Sequence, residues 1–321
     1  MRKFCTVLCA CLLLSVLSGC GEKDDTSGAG GTDGRKLGLG TVAGVAMDGV
    51  DANRVKVTVA AVVLTANGTI EECELDELEF TIRLENGRVT GTPPMMTKGE
   101  MGDGYIPTEK DTGNADGAAK SWEEQADAFA DFAEGKKPGE ITGLATTDGK
   151  TDKVPGCNLI VTDIIQAIDR AATNARAGAI GRDDDLHVAV VAATAKAATA
   201  EDPQYNVELA AVTLNEGDKI TASMTDSLSC KLTITDGVFT TVSGPVESKR
   251  QKGDAYGMKQ ASAIKREWYQ QADAFDDYAR GKTASEVRGI TTDAAGKVDA
   301  ISGCTMDVNG FIKSISKAAA D

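Results

Sequence analysis

The stretch of this chain best suited to chemistry reads Asp299-Ala-Ile-Ser-Gly-Cys-Thr-Met-Asp-Val-Asn-Gly-Phe311. Gly303 lets the backbone approach a ligand with no side chain in the way. Thr305 offers a hydroxyl just ahead of Val308, Phe311, Ile312 and Ile315, which fall at helical spacing. A helix starting there would present unpaired amide N–H groups and the positive end of its dipole, a setting that favours phosphate. A hydroxyl before a helix also serves as a plain N-cap, so spacing alone leaves both roles open.

The elements that must position this stretch belong to an internal repeat. Ala60-Ala-Val-Val-Leu64 matches Ala210-Ala-Val-Thr-Leu214, and Ile70 and Gly87 match Ile220 and Gly237, all at an offset of 150. Lys98 to Tyr105 matches Lys249 to Tyr256 at 151. Trp122 and Gln125-Ala-Asp-Ala-Phe129 match Trp268 and Gln271-Ala-Asp-Ala-Phe275 at 146, and Gly156-Cys157 matches Gly303-Cys304 at 147. So many matches in one order imply two copies of one α+β domain, at 41–177 and 186–321. Between them 178–185, with three consecutive aspartates, reads as a solvated linker.

Each copy opens with β signals. Residues 55–64, 80–84 and Val89 read as strands joined by turns at Asn67-Gly68 and Asn86-Gly87; 207–214, 232–235 and 238–242 repeat the scheme around Asp236-Gly237. The result is a curved antiparallel meander with one face needing cover. Trp122, Ala126, Phe129 and Ala133, like Trp268, Ala272, Phe275 and Ala279, form an apolar helical stripe that supplies the cover, with the tryptophans read as core. Gly135 and Gly281 stop these helices, and further helices over 159–177 and 308–320 follow the Gly-Cys pairs. Gly38-Leu-Gly-Thr-Val-Ala-Gly44 has the wrong spacing for a dinucleotide loop, and His187 reads as an ordinary strand residue.

A formal charge of -15 argues against nucleic acid and against docking on anionic lipid. Arg2 and Lys3, an apolar core over 4–17 and Leu17-Ser-Gly-Cys20 resemble a bacterial lipoprotein signal, which implies lipidation at Cys20. Residues 21–40 then form a flexible tether rich in Gly, Asp, Ser and Thr. Cys73, Cys157, Cys230 and Cys304 remain. Bridges Cys73 to Cys157 and Cys230 to Cys304, or free thiols, are both open, while one histidine and no Cys-x-x-Cys argue against a zinc site.

Two αβ copies behind such a signal, the second containing Asp299-Ala-Ile-Ser-Gly-Cys-Thr305, resemble the FMN-binding domain family of bacterial envelope proteins. That family includes a subunit of sodium-pumping quinone reductases and extracytoplasmic electron carriers. The resemblance implies FMN held through a phosphoester on Thr305, with Ser302, Gly303, Cys304 and Asp299 at the other motif positions. It also implies attachment by a separate flavin transferase, and the chain then serves as a membrane-anchored electron carrier in the cell envelope rather than an enzyme in its own right. Cys304 stands where Ala is usual, and Asp307 where a second hydroxyl is expected. Copy one has Asn158 at the attachment position, which cannot form the ester. The alternative is a non-redox surface lipoprotein whose domains bind a small molecule or partner protein. Asp103 with Tyr105, Asp254 with Tyr256, and Lys98 with Lys249 recur between copies as candidate ligand contacts or as plain turn and surface residues.

Overall fold

A computed structural model describes residues 34–49, 51–86, 88–114, 119–195, 203–240 and 244–320. The signal, the Cys20 lipidation position and most of the tether lie outside the described residues. Residues 36–40, read above as tether, instead open the first strand.

The first half runs β1 (Lys36–Met47), β2 (Ala52–Leu64), β3 (Ile70–Glu85), β4 (Arg88–Thr90), α1 (Glu109–Thr112), α2 (Trp122–Ala133), α3 (Pro138–Thr142) and α4 (Thr162–Asn174). After the short β5 (Arg176–Ala177) come β6 (Asp185–Thr194), β7 (Gln204–Leu214), β8 (Ile220–Lys231), β9 (Ile234–Thr235), β10 (Val238–Phe239) and β11 (Gly244–Val246). The chain ends with α5 (Lys249–Lys252), α6 (Met258–Ala261), α7 (Trp268–Ala279), α8 (Ala284–Arg288) and α9 (Asn309–Ala318). The main sheet orders β11-β1-β2-β3-β4 with β5 beside β1, and a second sheet orders β6-β7-β8.

The alternation of side chains along a strand explains the layering. Val55, Val57, Val59, Ala61 and Val63 of β2, with Val207, Leu209 and Ala211 of β7, fill one core between the two sheets. The opposite faces of the same strands, Ala60, Val62 and Leu64 and then Ala210, Val212 and Leu214, pack under helices. β2 and β7 are therefore apolar on both sides, and their near-continuous hydrophobic runs follow. The predicted stripes behave as expected: Trp122, Ala126, Phe129 and Ala133 sit in one helix-side core, and Trp268, Ala272, Phe275 and Ala279 in the other.

Both halves fall within one compact unit. β11, from the second half, extends the first sheet by pairing Val246 with Ala43. The predicted solvated linker is partly internal: Ile180 joins the core between the sheets, and the buried Asp184 accepts from the Gly181 N–H at 2.7 Å and the Thr221 hydroxyl at 2.6 Å. The buried Asp276 of α7 accepts at Oδ2 from Arg176 at 2.8 Å and from Arg250 at 3.0 Å, which ties the end of the first half to the second.

The glycines of β1 have a packing role. A Cβ on Gly38 or Gly40 would lie 2.1 Å from the carbonyl oxygen of Ala171 or Ala167, so α4 rests directly on strand backbone. The halves also repeat one joint: the Gly135 N–H donates to Ile70 O at 2.9 Å, and the Gly281 N–H to Ile220 O at 2.7 Å. Both glycines have positive φ, 78° and 79°, which ends each helix against its strand.

All four described cysteines are free and buried. Cys230 lies in the core between the sheets and Cys304 in the helix-side core, on opposite faces of the second sheet. The Cys230 to Cys304 bridge held open above is thereby excluded, and Cys73 and Cys157 share a core without a bond.

Candidate functional site

The Ser302–Thr305 stretch forms a loop clamped to α7. Gly303 adopts φ 94°, a left-handed conformation a side chain would strain, and a Cβ there would sit 2.3 Å from Nη1 of the exposed Arg266. Cys304 is buried. Thr305 is half-buried and fixed by Gln271, whose Oε1 accepts from the Thr305 N–H at 2.9 Å and from its hydroxyl at 3.2 Å. The Gln271 amide nitrogen donates to the Ser262 hydroxyl at 3.1 Å and to the Arg266 carbonyl at 3.2 Å, so a fully buried glutamine holds both ends of this corner.

Phe311 then packs edge-on to Trp268 and tilted against Phe275, each with centroids 5.5 Å apart, which fixes where α9 begins. That start is Asn309, with Val308 at the N-cap. Thr305 therefore lies before the helix, and the expectation that it sits at the helix N-terminus is corrected: the buried Met306 and Val308 pull the intervening residues onto the core instead. Asp299 and Ser302 are both exposed.

Copy one has the same corner. The Asn158 N–H donates to Gln125 Oε1 at 2.7 Å, Gly156 has φ 89°, and Lys120 Nζ stands where Arg266 does in copy two. Gln125 and Gln271 are identical and buried, a polar residue kept at the same place in each apolar stripe, and that is the signal by which the sequence could have shown them. Gln271→Leu removes the acceptor of the Thr305 N–H and is expected to cost about 1–3 kcal/mol. Amide exchange at Thr305 faster than at Phe275 checks that the loss is local.

Each copy also has a cleft where α4 or α9 crosses its sheet. The second, about 450 Å³, is lined by Glu208 of β7, Lys249 of α5, Trp268, Asp307, Asn309 and Lys313 among others. Its volume suits a small-molecule site. Thr305 is not part of the lining, but Asp307, two residues on, is. Asp307 Oδ1 accepts from the Asn309 N–H at 3.0 Å and from its side-chain amide at 2.8 Å, so this carboxylate is engaged with the start of α9. The corresponding cleft of copy one, about 420 Å³, is lined by Lys56, Glu77, Glu79, Asp111 and Trp122.

The surroundings of the repeated lysine differ between the copies: Lys249 lines the second cleft, whereas Lys98 is not part of the lining of the first. Lys98 is buried, and its ammonium donates to Glu77 at 2.6 Å, to Glu79 at 2.9 Å and to Asp111. Burial alone would lower its pKa, yet the three carboxylates hold it above the ordinary lysine value. The reading of Lys98 as an exposed or phosphate-facing lysine is thus corrected, because three acids have already claimed its charge. Those three carboxylates converge as a divalent-cation donor set would, with the Lys98 ammonium as their cation.

Lys249 has no carboxylate within ion-pair distance among the described residues. It lies 5.2 Å from the Trp268 ring centre and 5.8 Å from that of Tyr256. Burial pushes its pKa below the ordinary value, with Glu208 and Asp226 opposing. One acid has moved between copies: Thr58 donates to Glu77 in the first, whereas Ser227 donates to Glu208 at 3.1 Å in the second. Tyr105 donates to Asp111 at 3.2 Å, and Asp254 accepts from Tyr269 at 3.2 Å, so of the repeated Asp and Tyr pairs none lines either cleft.

No family model matches the chain, and no solved structure matches it. It is similar to a chlorophenol reductase of Desulfitobacterium hafniense, with 43% identity over 42 residues. That match covers 13% of this chain and 13% of the reductase, so the chain spans a small part of that protein's length. Among the described residues no helix is long and apolar enough to cross a membrane.

Proposed function

We propose that the protein is an extracytoplasmic electron carrier, anchored to a bacterial membrane by lipid on Cys20, with FMN attached through its phosphate to Thr305. The finer fold reading goes with it: two tandem copies of an FMN-binding-like domain, of which only the second carries the flavin. The observation that carries the reading is the asymmetry of two otherwise equivalent corners. The second has a hydroxyl on the glutamine-clamped loop and, in the adjoining cleft, a lysine with no ion-pair partner among the described residues; the first has Asn158 and a lysine consumed by three acids.

The residues fit the group. Thr305 supplies the ester oxygen, Gln271 fixes the backbone beside it, and Arg266 over Gly303 offers a guanidinium to a phosphate. Lys249 and Trp268 offer a cation and an apolar wall in the cleft. FMN supplies the chemistry of accepting and passing on electrons, and the protein sets its exposure and electrostatics. The covalent bond keeps the flavin at high effective concentration outside the cytoplasm, where a dissociated one is diluted away. A separate flavin transferase makes the bond.

A second reading is a non-redox lipoprotein whose second cleft holds an anionic small molecule reversibly. It is favoured by one observation, that Asp307 and not Thr305 lines the cleft. The two part on one experiment, absorbance of denatured protein after co-expression with a flavin transferase. The carrier retains flavin absorbance through denaturation and loses it in Thr305→Ala. A binder releases any colour on denaturation in both.

A further inference from the structure

Within the second cleft Glu208 is a group that neither the fold nor the ester uses. Its Oε1 accepts from Ser227, but Oε2 is shielded from solvent and has no hydrogen-bond partner. Gly310, in the first turn of α9, makes the room, since a Cβ there would lie 2.7 Å from the Glu208 carboxyl carbon. A carboxyl held in this way, its second oxygen unpartnered beside a cleft, is an oxygen waiting for a proton or a donor. Lys249, one of two lysines lining the cleft, makes no ion pair with it among the described residues.

We infer that the second cleft binds an anionic ring compound of the flavin phosphate class reversibly, with Lys249 meeting the negative charge and Glu208 taking up one proton as the ligand enters. This deepens the reading of the same cleft given above and rests on it. The balance is simple: anion plus Glu208 carboxylate plus one proton gives the complex with Glu208 as the neutral acid, whose O–H then has the ligand as its acceptor. No electron transfer is involved.

The surroundings set the direction. Facing Glu208 are Lys249 on α5, Asp226 on β8, Asp307 before α9, and more distantly Lys313 on α9 and Tyr256. Asp226 is engaged by the Ser248 hydroxyl at 2.5 Å and the Arg250 N–H at 3.1 Å, and Asp307 by Asn309. Burial first, then Asp226 and Asp307, push the Glu208 carboxyl up to about 7, against Lys249 and Ser227. At neutral pH a small input decides its state, and a second anion in the cleft supplies that input.

The test uses the full chain carrying Thr305→Ala, so that no ester forms, and free FMN as the probe, titrated calorimetrically from about pH 7 to about pH 8.5. The FMN phosphate is already dianionic there, since its second ionisation falls near pH 6. Affinity is expected to fall about tenfold across the window, with close to one proton taken up at the alkaline end when buffers of different ionisation heat are compared. Glu208→Gln in the same background is expected to remove both the fall and the proton uptake. Lys249→Met is expected to weaken binding at least tenfold at both ends. An unchanged pH dependence in Glu208→Gln, binding that ignores pH, or no FMN binding at all overturns the inference. The adduct on Thr305 is read separately in the unsubstituted chain by denatured absorbance, so failure of the inference is told apart from failure of the covalent reading.

Discussion

Lys98→Met is expected to destabilise the protein by about 3–5 kcal/mol, the cost of breaking a buried ion pair and leaving its partners uncompensated. The cause is specific. Glu77, Glu79 and Asp111 place carboxylate oxygens within 4.8 Å of one another, and the Lys98 ammonium is what lets them coexist. Lys56 at 3.7 Å from Glu77 and Arg54 at 3.4 Å from Glu79 neutralise only the outer edge. Methionine fills the space without the charge, so the loss reports electrostatics rather than a cavity. Lys249→Met, the same change at the repeated position, has no ion pair to break and is expected to stay within about 1 kcal/mol. Urea unfolding near neutral pH measures both. Adding Glu79→Gln to Lys98→Met is expected to restore part of the loss, because one fewer charge is left to repel. Equal losses for the two lysines would contradict the assignment of Lys98 as an internal counter-ion.

The second large effect is of pH on stability. Burial pushes four carboxyls well above their ordinary values: Glu72 and Glu208 to about 7, and Asp76 and Asp276 to about 6. Glu72 accepts the Leu186 N–H at 3.0 Å across the contact of β3 with β6, near Glu134, Asp185 and Glu71. Each group binds its proton more tightly folded than unfolded. Its contribution is therefore complete below the unfolded values of 4.5 for Glu and 3.8 for Asp, and is lost as pH rises through the folded ones. Asp111, held low by Lys98 against its own burial, works in the other sense, at pH below this window. The acidic net charge adds repulsion in the same direction as pH rises. The thermal midpoint is expected to be higher near pH 5.5 than near pH 8 by roughly 5 °C or more. Glu72→Gln with Glu208→Gln is expected to flatten the difference. A midpoint that rises with pH would contradict the account.

The two helix-side stripes were legible because they are written in side chains that pack. Trp122 and Trp268, the Ala and Phe stripes and the stop glycines all stand where spacing placed them. β1 was not legible, since Gly38 and Gly40 read as punctuation when they are in fact a bed for α4. The first halves of β3 and β8 were hidden by Glu, Asp, Ser and Thr, which have low or mixed strand preference and here face helix ends and the clefts. The exclusion of one disulfide needed the sheet, because only the pleat shows that Cys230 and Cys304 lie on opposite faces.

In the candidate site the loop was legible through Ser302, Gly303 and Thr305. Its support was not, because Gln271 reaches it from a helix 34 residues away. The contrast between Lys98 and Lys249 was equally out of reach. Both are repeated lysines in matching positions, and only the three-dimensional gathering of Glu77, Glu79 and Asp111 separates them. The same holds for Glu208, which on a strand reads as an ordinary outward acid until Gly310 is seen against it.

The electron-carrier proposal requires one flavin, on the second copy, at Thr305. Peptide mapping by mass after tryptic digestion tests it most directly, on protein co-expressed outside the cytoplasm with a flavin transferase active on a known substrate. Cleavage after Lys297 and Lys313 isolates residues 298–313, which contain both Ser302 and Thr305, and cleavage after Lys153 and Arg170 isolates the copy-one loop at 154–170. The expected result is the mass of FMN less water on the first peptide, with fragment ions placing it on Thr305, and none on the second. An unmodified 298–313 peptide under these conditions, or the adduct on the copy-one peptide, would contradict it.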